Sequence, residues 1–77
     1  MNEHILQAIQ DERDRQDAKW GAQRDLAQET WLTILVEEVG EVAESILEGD
    51  PEGYAKELVQ VAAVAVAALE GYYAERG

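Results

Sequence analysis

The chain has 77 residues, enough for one small domain, and 17 acidic residues against six basic ones give it a formal net charge of −11. This charge excludes unaided binding to DNA or RNA, because affinity for a phosphate backbone comes from Lys and Arg. The absence of cysteine excludes a disulfide framework, a thiolate metal site and a thiol nucleophile.

The sequence predicts a single domain over residues 1–77 and a cytoplasmic location. The acidic N-terminal segment Met1–His4 is not followed by the apolar region of a signal peptide. The longest apolar run is too short and too rich in alanine to span a bilayer, so we expect no membrane partner.

Helical patterns follow one another along the chain. The first predicted helix runs from about Asn2 to Asp17, with Asn2 as its N-cap. Gly21 is expected to end this helical segment, since glycine favours the backbone conformation found just past a helix. A polar connection then leads to Glu29.

The second predicted helix starts near Thr30, a suitable N-cap, and continues to Glu48. The Gly-Asp-Pro run at 49–51 combines a helix stop with a helix start: glycine at C′, aspartate at the N-cap and proline at N1. The third helix then runs to about Ala74. A short turn between two long helices predicts an antiparallel hairpin.

We therefore predict an all-α fold, a helical hairpin plus an N-terminal helix, completed as a homo-oligomer. The third helix is apolar on nearly all sides over Leu58–Leu69, so a single partner helix could not cover it. A chain of this size also buries only about 60% of the surface that its unfolded form exposes. Both features favour protomers that complete each other's cores.

Glu57 interrupts the apolar stripe of the third helix. At about 100° per residue it points between the directions of Val61, Val64 and Ala68, which predicts a place in a packed interior. An isolated carboxylate is costly there unless a cation compensates its charge. A divalent metal ion is one such cation; an ion pair with Lys56 or with an arginine of another protomer is the alternative.

The predicted hairpin brings Glu38 and Glu41 of the second helix level with Glu57 and Gln60 of the third. Glu38 and Glu41 are i, i+3 neighbours, so their carboxylates can converge from one helix surface. Gln60 is either a neutral oxygen ligand or a buried amide that sets the register of the helices. Oxygen ligands without His or Cys suit Mg²⁺ or Mn²⁺. The predicted chemistry is metal-assisted attack of water on a phosphoryl group.

Several other residues have two interpretations. Lys19 could meet a phosphate and Trp20 could stack on a base, although Trp20 could equally close the small core. Lys56 could reach a phosphate or lie on the surface, and Gly40, inside the second helix, predicts the close approach of another helix. Ion pairs with neighbouring acids on solvated faces are predicted for Arg13, Arg15 and Arg24.

The acidic residues form two spaced motifs, Glu38-Val39-Gly40-Glu41 and, after fifteen further residues, Glu57-Leu58-Val59-Gln60. This arrangement resembles the MazG-like branch of the all-α nucleoside triphosphate pyrophosphohydrolases. That family has E-x-x-E, a spacer of a dozen or more residues, and then E-x-x-D on the two long helices of a hairpin. Gln60 departs from the pattern, because the family has Asp there.

The resemblance implies Mg²⁺-dependent hydrolysis of a nucleoside triphosphate to its monophosphate and pyrophosphate. It also implies a dimer or tetramer whose helices pair into four-helix bundles. It implies that Glu38, Glu41 and Glu57 bind metal and that Glu37 is a further ligand or a base that positions water. Glu37, Glu38 and Glu41 thus form the predicted catalytic set. Because of Gln60, the first alternative is a weak or inactive homologue that binds nucleotide or metal. The second alternative is an acidic helical oligomer that binds a basic protein partner.

Overall fold

The computed structural model describes residues 1–22 and 25–76, and within these residues it contains three helices and no strand. The helices are α1 (Glu3–Trp20), α2 (Gln28–Leu47) and α3 (Pro51–Arg76). The prediction of an all-α fold is confirmed. Arg24, one of the arginines predicted to form a surface ion pair, lies outside the described residues.

Both ends of α1 are made by the residues that the sequence indicates. The side-chain oxygen of Asn2 accepts hydrogen bonds from the backbone N–H of His4 at 2.7 Å and of Ile5 at 3.4 Å, so Asn2 is the N-cap. Gly21 follows the last helical residue with φ of +90°, and its N–H donates to the carbonyl of Asp17 at 2.9 Å. Helix α1 ends at Trp20, three residues later than predicted.

Helix α2 begins before Thr30, so the prediction of Thr30 as N-cap is wrong. Ala27 occupies the N-cap position and offers no side-chain acceptor, and the N–H of Thr30 donates to the carbonyl of Ala27 at 3.0 Å. Leu26, just before the cap, packs against the cluster that contains Trp31. Leu26 is the N′ residue and Trp31 is the N4 residue, and a contact between apolar residues at these two positions fixes the direction in which the chain enters a helix. Burial, rather than a polar cap, sets this helix start.

The turn between α2 and α3 has the predicted chemistry. Gly49 adopts φ of +67°, where a side chain would be strained, and the N–H of Asp50 donates to the carbonyl of Ser45 at 3.0 Å. The Asp50 carboxylate accepts a hydrogen bond from the N–H of Gly53 at 3.0 Å, and Pro51 is the first residue of α3. A Cβ at position 53 would clash with that carboxylate, so a larger residue there would have to displace the Asp50 side chain.

Helix α3 packs against both other helices. Its Val64 and Ala67 form the core with Trp31 of α2. The described core is small, and no large side chain in it is fully buried. A Cβ built at Gly40 would meet no atom of the described residues within 4 Å, so no helix of the same chain approaches Gly40 closely.

Helix α1 is joined to α3 through Arg13, which is only 6% exposed. Its guanidinium donates to one carboxylate oxygen of Glu70 from Nε at 2.9 Å and from Nη2 at 2.6 Å, and it also donates to Asp17 and Gln16. Burial acts to lower the pKa of Arg13, but the hydrogen bonds to Glu70 and Asp17 outweigh it, and the pKa is raised. Arg13 is therefore a buried link between helices, whereas the sequence predicted an arginine on a solvated face.

Helix α3 has 26 residues and ends two residues beyond the predicted end near Ala74. By length and composition alone the segment Pro51–Glu75 could cross a membrane, since an 18-residue stretch within it has a mean hydropathy of 1.2. The central helix of a water-soluble protein passes the same test, and α3 lies between two other helices of this chain.

Candidate metal centre

Three carboxylates from two helices converge at one point. One carboxylate oxygen from each of Glu38, Glu41 and Glu57 lies within 4.8 Å of the other two. The turn explains this meeting, because Glu41 lies eight residues before Gly49 and Glu57 lies eight residues after it. In an antiparallel hairpin such positions stand at the same height.

The cluster is more open than the sequence predicted for Glu57. Glu57 and Glu38 are half-buried and Glu41 is exposed, so Glu57 does not lie in a packed interior. The apolar side chains beside it cover only part of the carboxylate, because the chain supplies only two helices around α3. Among the described residues no lysine or arginine forms an ion pair with Glu57. The proposed neutralisation by Lys56 is therefore not made as a salt bridge within the chain.

The carboxylates repel one another, and their pKa values reflect it. Burial raises the pKa of Glu38, and the charges of Glu41 and Glu57 raise it further. Burial also raises the pKa of Glu57, a hydrogen bond and the charge of Glu41 add to that rise, and Lys56 acts weakly in the opposite direction. The site thus has an excess of negative charge that a bound cation would relieve.

Gln60 connects two members of the cluster. When its amide nitrogen faces them, it donates to Oε2 of Glu57 and to Oε2 of Glu38, both at 2.8 Å. When the amide is turned, its oxygen faces the two carboxylates and could act as a further oxygen ligand for a cation bound between them. The half-buried amide therefore fits either a hydrogen-bonded cluster or a fourth oxygen ligand.

A cleft of about 400 Å³ opens beside this cluster, between α1 and the hairpin. Glu38 and Gln60 line its floor, and Lys19 and Trp20 line the wall formed by α1. Lys19 Nζ lies 4.7 Å from the centroid of the Trp20 ring, and Trp20 is 55% exposed. The alternative that Trp20 closes the core is therefore wrong; Trp31 has that role.

Sequence reasoning missed Arg15, which lines the same wall of the cleft as Lys19. Arg15 forms an ion pair with Glu12 within α1. The spacing of four residues between Arg15 and Lys19 places both on one face of a helix, and this signal could have identified the pair.

Two predicted site residues do not join the cluster. Glu37 is exposed on α2 and is not one of the three converging carboxylates. Lys56 is exposed and does not line the cleft, although its charge acts on Glu57. The described structure thus brings together Glu38, Glu41, Glu57 and Gln60, with Lys19 and Trp20 across the cleft.

Comparisons of the chain with models of protein families, with curated proteins and with solved structures found no match. The resemblance to the MazG-like pyrophosphohydrolases therefore stays a prediction from the two motifs.

We expect the metal-free protein to become less stable as pH rises through the titration of the cluster. The pKa values of Glu38 and Glu57 are raised on folding, so the folded state binds more protons than the unfolded state above the ordinary glutamate pKa. Their stabilising contribution is full below that ordinary pKa and is lost as pH rises through the raised values. Unfolding by urea with a chelator present, between about pH 4 and pH 8, measures this dependence.

The control for the pH experiment separates the cluster from the general acidity of the chain. The double variant Glu38→Gln, Glu57→Gln should lose part of the dependence, and Glu44→Gln, at an exposed position of α2, should keep it. Equal pH dependence in all three proteins would contradict the electrostatic description of the cluster.

Proposed function

We propose that this chain is a Mg²⁺-dependent nucleoside triphosphate pyrophosphohydrolase of the MazG-like type. The observation that carries the proposal is the convergence of Glu38, Glu41 and Glu57 beside a cleft. Together with Gln60 these residues offer the hard oxygen ligands that Mg²⁺ prefers. The negative charge of the chain disfavours nucleic acids but not free nucleotides, because a free nucleotide binds as a complex with divalent cations.

In the proposed reaction a nucleoside triphosphate and water give the monophosphate and pyrophosphate. The oxygen of water bonds to the phosphorus of the α-phosphate, and the bond from that phosphorus to the bridging oxygen breaks as pyrophosphate leaves. Mg²⁺, when bound, supplies positive charge that offsets the charge of the phosphate oxygens. Glu38 lines the cleft and would be one of the residues that hold the ion beside the nucleotide, and the proton that the attacking water loses passes to solvent.

The wall of the cleft suits the rest of a nucleotide. Lys19 supplies a positive charge for a phosphate, and the exposed ring of Trp20 offers a surface on which a base can stack. Glu37 has no assigned step in this proposal, because it lies outside the cluster.

A second candidate function rests on Gln60. Its amide can donate to Glu57 and Glu38 at once and so partly satisfy the cluster without an ion. A chain in which that orientation persists would bind nucleotide or metal with little turnover. The remaining alternative, an acidic oligomer with a basic protein partner, predicts that divalent ions leave the melting temperature unchanged.

The experiment incubates the protein with a panel of ribo- and deoxynucleoside triphosphates and Mg²⁺. Monophosphate and pyrophosphate formed in equal amounts support the proposal. Mg²⁺-dependent nucleotide binding without products supports the second candidate instead. Neither products nor any effect of Mg²⁺ on melting would contradict both.

The variant Gln60→Asp should bind Mg²⁺ more tightly and turn over faster, by roughly 10-fold or more in each case. It replaces a neutral amide, which donates to two carboxylates, by the anionic ligand of the family pattern. Calorimetric titration with Mg²⁺ measures the affinity, and product formation measures the rate.

The matched control is Gln60→Asn, which shortens the side chain equally and adds no charge. It should not reproduce either gain. Equal behaviour of the two variants would show that the charge at position 60 does not control the site.

A further inference from the structure

In the described part of the chain, two basic side chains line the cleft beside the acidic cluster. They are Arg15 and Lys19, which lie one turn apart on α1. Lys19 Nζ lies over the ring of Trp20, so its charge stands beside the surface that suits a base. The guanidinium of Arg15 is held instead by the carboxylate of Glu12. The two cations of this wall are therefore positioned in different ways.

Glu12 holds the guanidinium of Arg15 with both of its carboxylate oxygens. Nε of Arg15 donates to Oε1 at 2.9 Å, and Nη2 donates to Oε2 at 2.5 Å. The side chain of Glu12 is only 12% exposed, whereas that of Arg15 is 55% exposed. The hydrogen bond from Arg15 lowers the pKa of Glu12, although burial acts to raise it, so the carboxylate stays charged near neutral pH. Glu12 is thus the fixed member of the pair, and Arg15 is the member open to solvent.

The contact with Glu12 leaves one end of the guanidinium available to a ligand. Glu12 takes the side that carries Nε, and Nη1 of Arg15 donates to no described residue. Nη1 and the second N–H of Nη2 form the end of the guanidinium, which matches two oxygens of a phosphate. Because Glu12 already restricts the long side chain, less conformational freedom is lost when a ligand binds. This end is therefore preorganised for an anion that offers paired oxygens.

Arg15 also lies near the acidic cluster. The hydrogen bond and the charge of Glu12 raise the pKa of Arg15, burial opposes them, and the charge of Glu38 raises the pKa further. Arg15 and Glu38 line the same cleft. A phosphate that binds an ion held by Glu38 therefore enters the part of the cleft that Arg15 lines.

We propose that Arg15 binds the phosphates of the nucleotide and that Glu12 is the residue that positions Arg15. The forked donor selects a ligand with paired phosphate oxygens, and the carboxylates of the cleft repel an anion that carries no divalent ion. The ligand class is therefore a polyphosphate complexed with a divalent ion. This inference deepens the proposed function and rests on it.

The test measures the binding of inorganic triphosphate, in the presence of Mg²⁺, by calorimetric titration. This probe has no base and no sugar, so it isolates the contacts to phosphate. Arg15→Met should weaken its binding by about 10-fold or more, because hydrogen bonds between charged groups are lost. The affinity for Mg²⁺ alone should not fall, since Arg15 is not part of the acidic cluster. Unchanged affinity for triphosphate, or a parallel loss of affinity for Mg²⁺, would overturn the inference.

Two further variants control for net charge and for folding. Gln7→Glu lowers the net charge by the same amount at an exposed position of α1 that does not line the cleft, and should change triphosphate affinity by less than about twofold. Arg15→Lys keeps the charge beside Glu12 but not the forked donor, so it decides the question if Arg15→Met fails to fold. It should weaken binding by about 3-fold or more. Native affinity in Arg15→Lys would contradict the role of the guanidinium.

The positioning role of Glu12 is tested with a variant that keeps its charge. Glu12→Asp shortens the side chain and moves the carboxylate away from the guanidinium. Triphosphate affinity should fall by about 3-fold or more in the native background and change by less than about twofold in the Arg15→Met background, because Glu12 acts through Arg15. Equal losses in both backgrounds would show that Glu12 acts on the fold or on the ion, and this assignment would fail.

The nucleotide assay separates failure of this inference from failure of the proposed function. Arg15→Met should raise KM for the nucleotide, and a nucleoside triphosphate should compete with inorganic triphosphate for the native protein. Products from the native protein, with KM and triphosphate affinity unchanged in Arg15→Met, would refute only the role of Arg15. No products from the native protein, with triphosphate binding that depends on Arg15, would refute the enzymatic activity and support the phosphate site. Simultaneous binding of nucleotide and triphosphate would overturn the inference.

Discussion

Glu41→Gln should lower the rate of Mg²⁺-dependent nucleoside triphosphate hydrolysis by more than roughly 100-fold. The substitution keeps the size of the side chain and removes the charge of the carboxylate that acts on Glu57 and Glu38. Loss of a partner outside the ligand shell of a metal already costs roughly 10–100-fold in affinity or activity, and the loss of a ligand should cost more. Product formation and calorimetric titration with Mg²⁺ measure the two effects.

The same substitution should raise the melting temperature of the metal-free protein. Burial raises the pKa values of Glu38 and Glu57, and the negative charge of Glu41 raises both further, so removing that charge relieves repulsion within the cluster. A variant that is inactive and at the same time more stable without Mg²⁺ cannot owe its inactivity to unfolding. This combination distinguishes a functional site from a structural one.

Glu44→Gln is the matched control for Glu41→Gln. Glu44 is also an exposed glutamate of α2, and it lies outside the group of converging carboxylates. We expect its rate to stay within about twofold of the native rate, as for a surface substitution away from a site. Similar losses in both variants, or full activity in Glu41→Gln, would show that this cluster does not carry the reaction.

Arg13→Met should lower the free energy of unfolding by about 2 kcal/mol, since hydrogen bonds of a charged group contribute about 1.5–3 kcal/mol. Its side chain is 7% exposed, and it holds Glu70 of α3 and Asp17 of α1. Methionine keeps most of the apolar part of the arginine side chain and removes the N–H groups that donate hydrogen bonds to Glu70 and Asp17. The side chain of Glu70 is 54% exposed, so it returns to water without a large desolvation cost.

For a chain of this size the loss corresponds to a fall in melting temperature of about 8–16 °C, measurable by circular dichroism. Lys56→Met removes the same charge from an exposed position and should change stability by no more than about 0.5 kcal/mol. Arg13→Lys keeps the charge but not the forked geometry, and should recover only part of the loss. A melting temperature of Arg13→Met equal to that of Lys56→Met would show that the link does not hold α1 in place.

Much of this fold could be predicted from the sequence, because the helix ends depend on interactions between residues close together in the chain. Asn2 and Asp50 act through hydrogen bonds to backbone groups two or three residues away, and Gly21 and Gly49 adopt positive φ values. Such signals need no distant partner, so the pattern of residue types was enough. Thr30 shows the limit, because the start of α2 depends on burial of Leu26 beside Trp31 rather than on a polar cap.

The acidic cluster was also predictable, because a hairpin with a short turn fixes which residues stand at the same height. Glu41 and Glu57 are equally distant from Gly49, and arithmetic along the chain pairs them. The degree of burial was not predictable in this way. Glu57 is half-buried because only two helices pack against α3 within the described residues. Helical periodicity predicts the direction of a side chain but not the number of helices that surround it.

By itself, the sequence determined the helices, the turn that joins the last two and the convergence of the carboxylates, because these follow from local hydrogen bonding and from periodicity. Only the tertiary structure decided where α1 lies. That placement rests on contacts between residues as far apart as Arg13 and Glu70. It puts Lys19 and Trp20 across a cleft from Glu38, and it leaves one side of the hairpin uncovered. A contact between residues far apart in the sequence depends on how the helices pack in three dimensions, and local sequence patterns do not predict that packing.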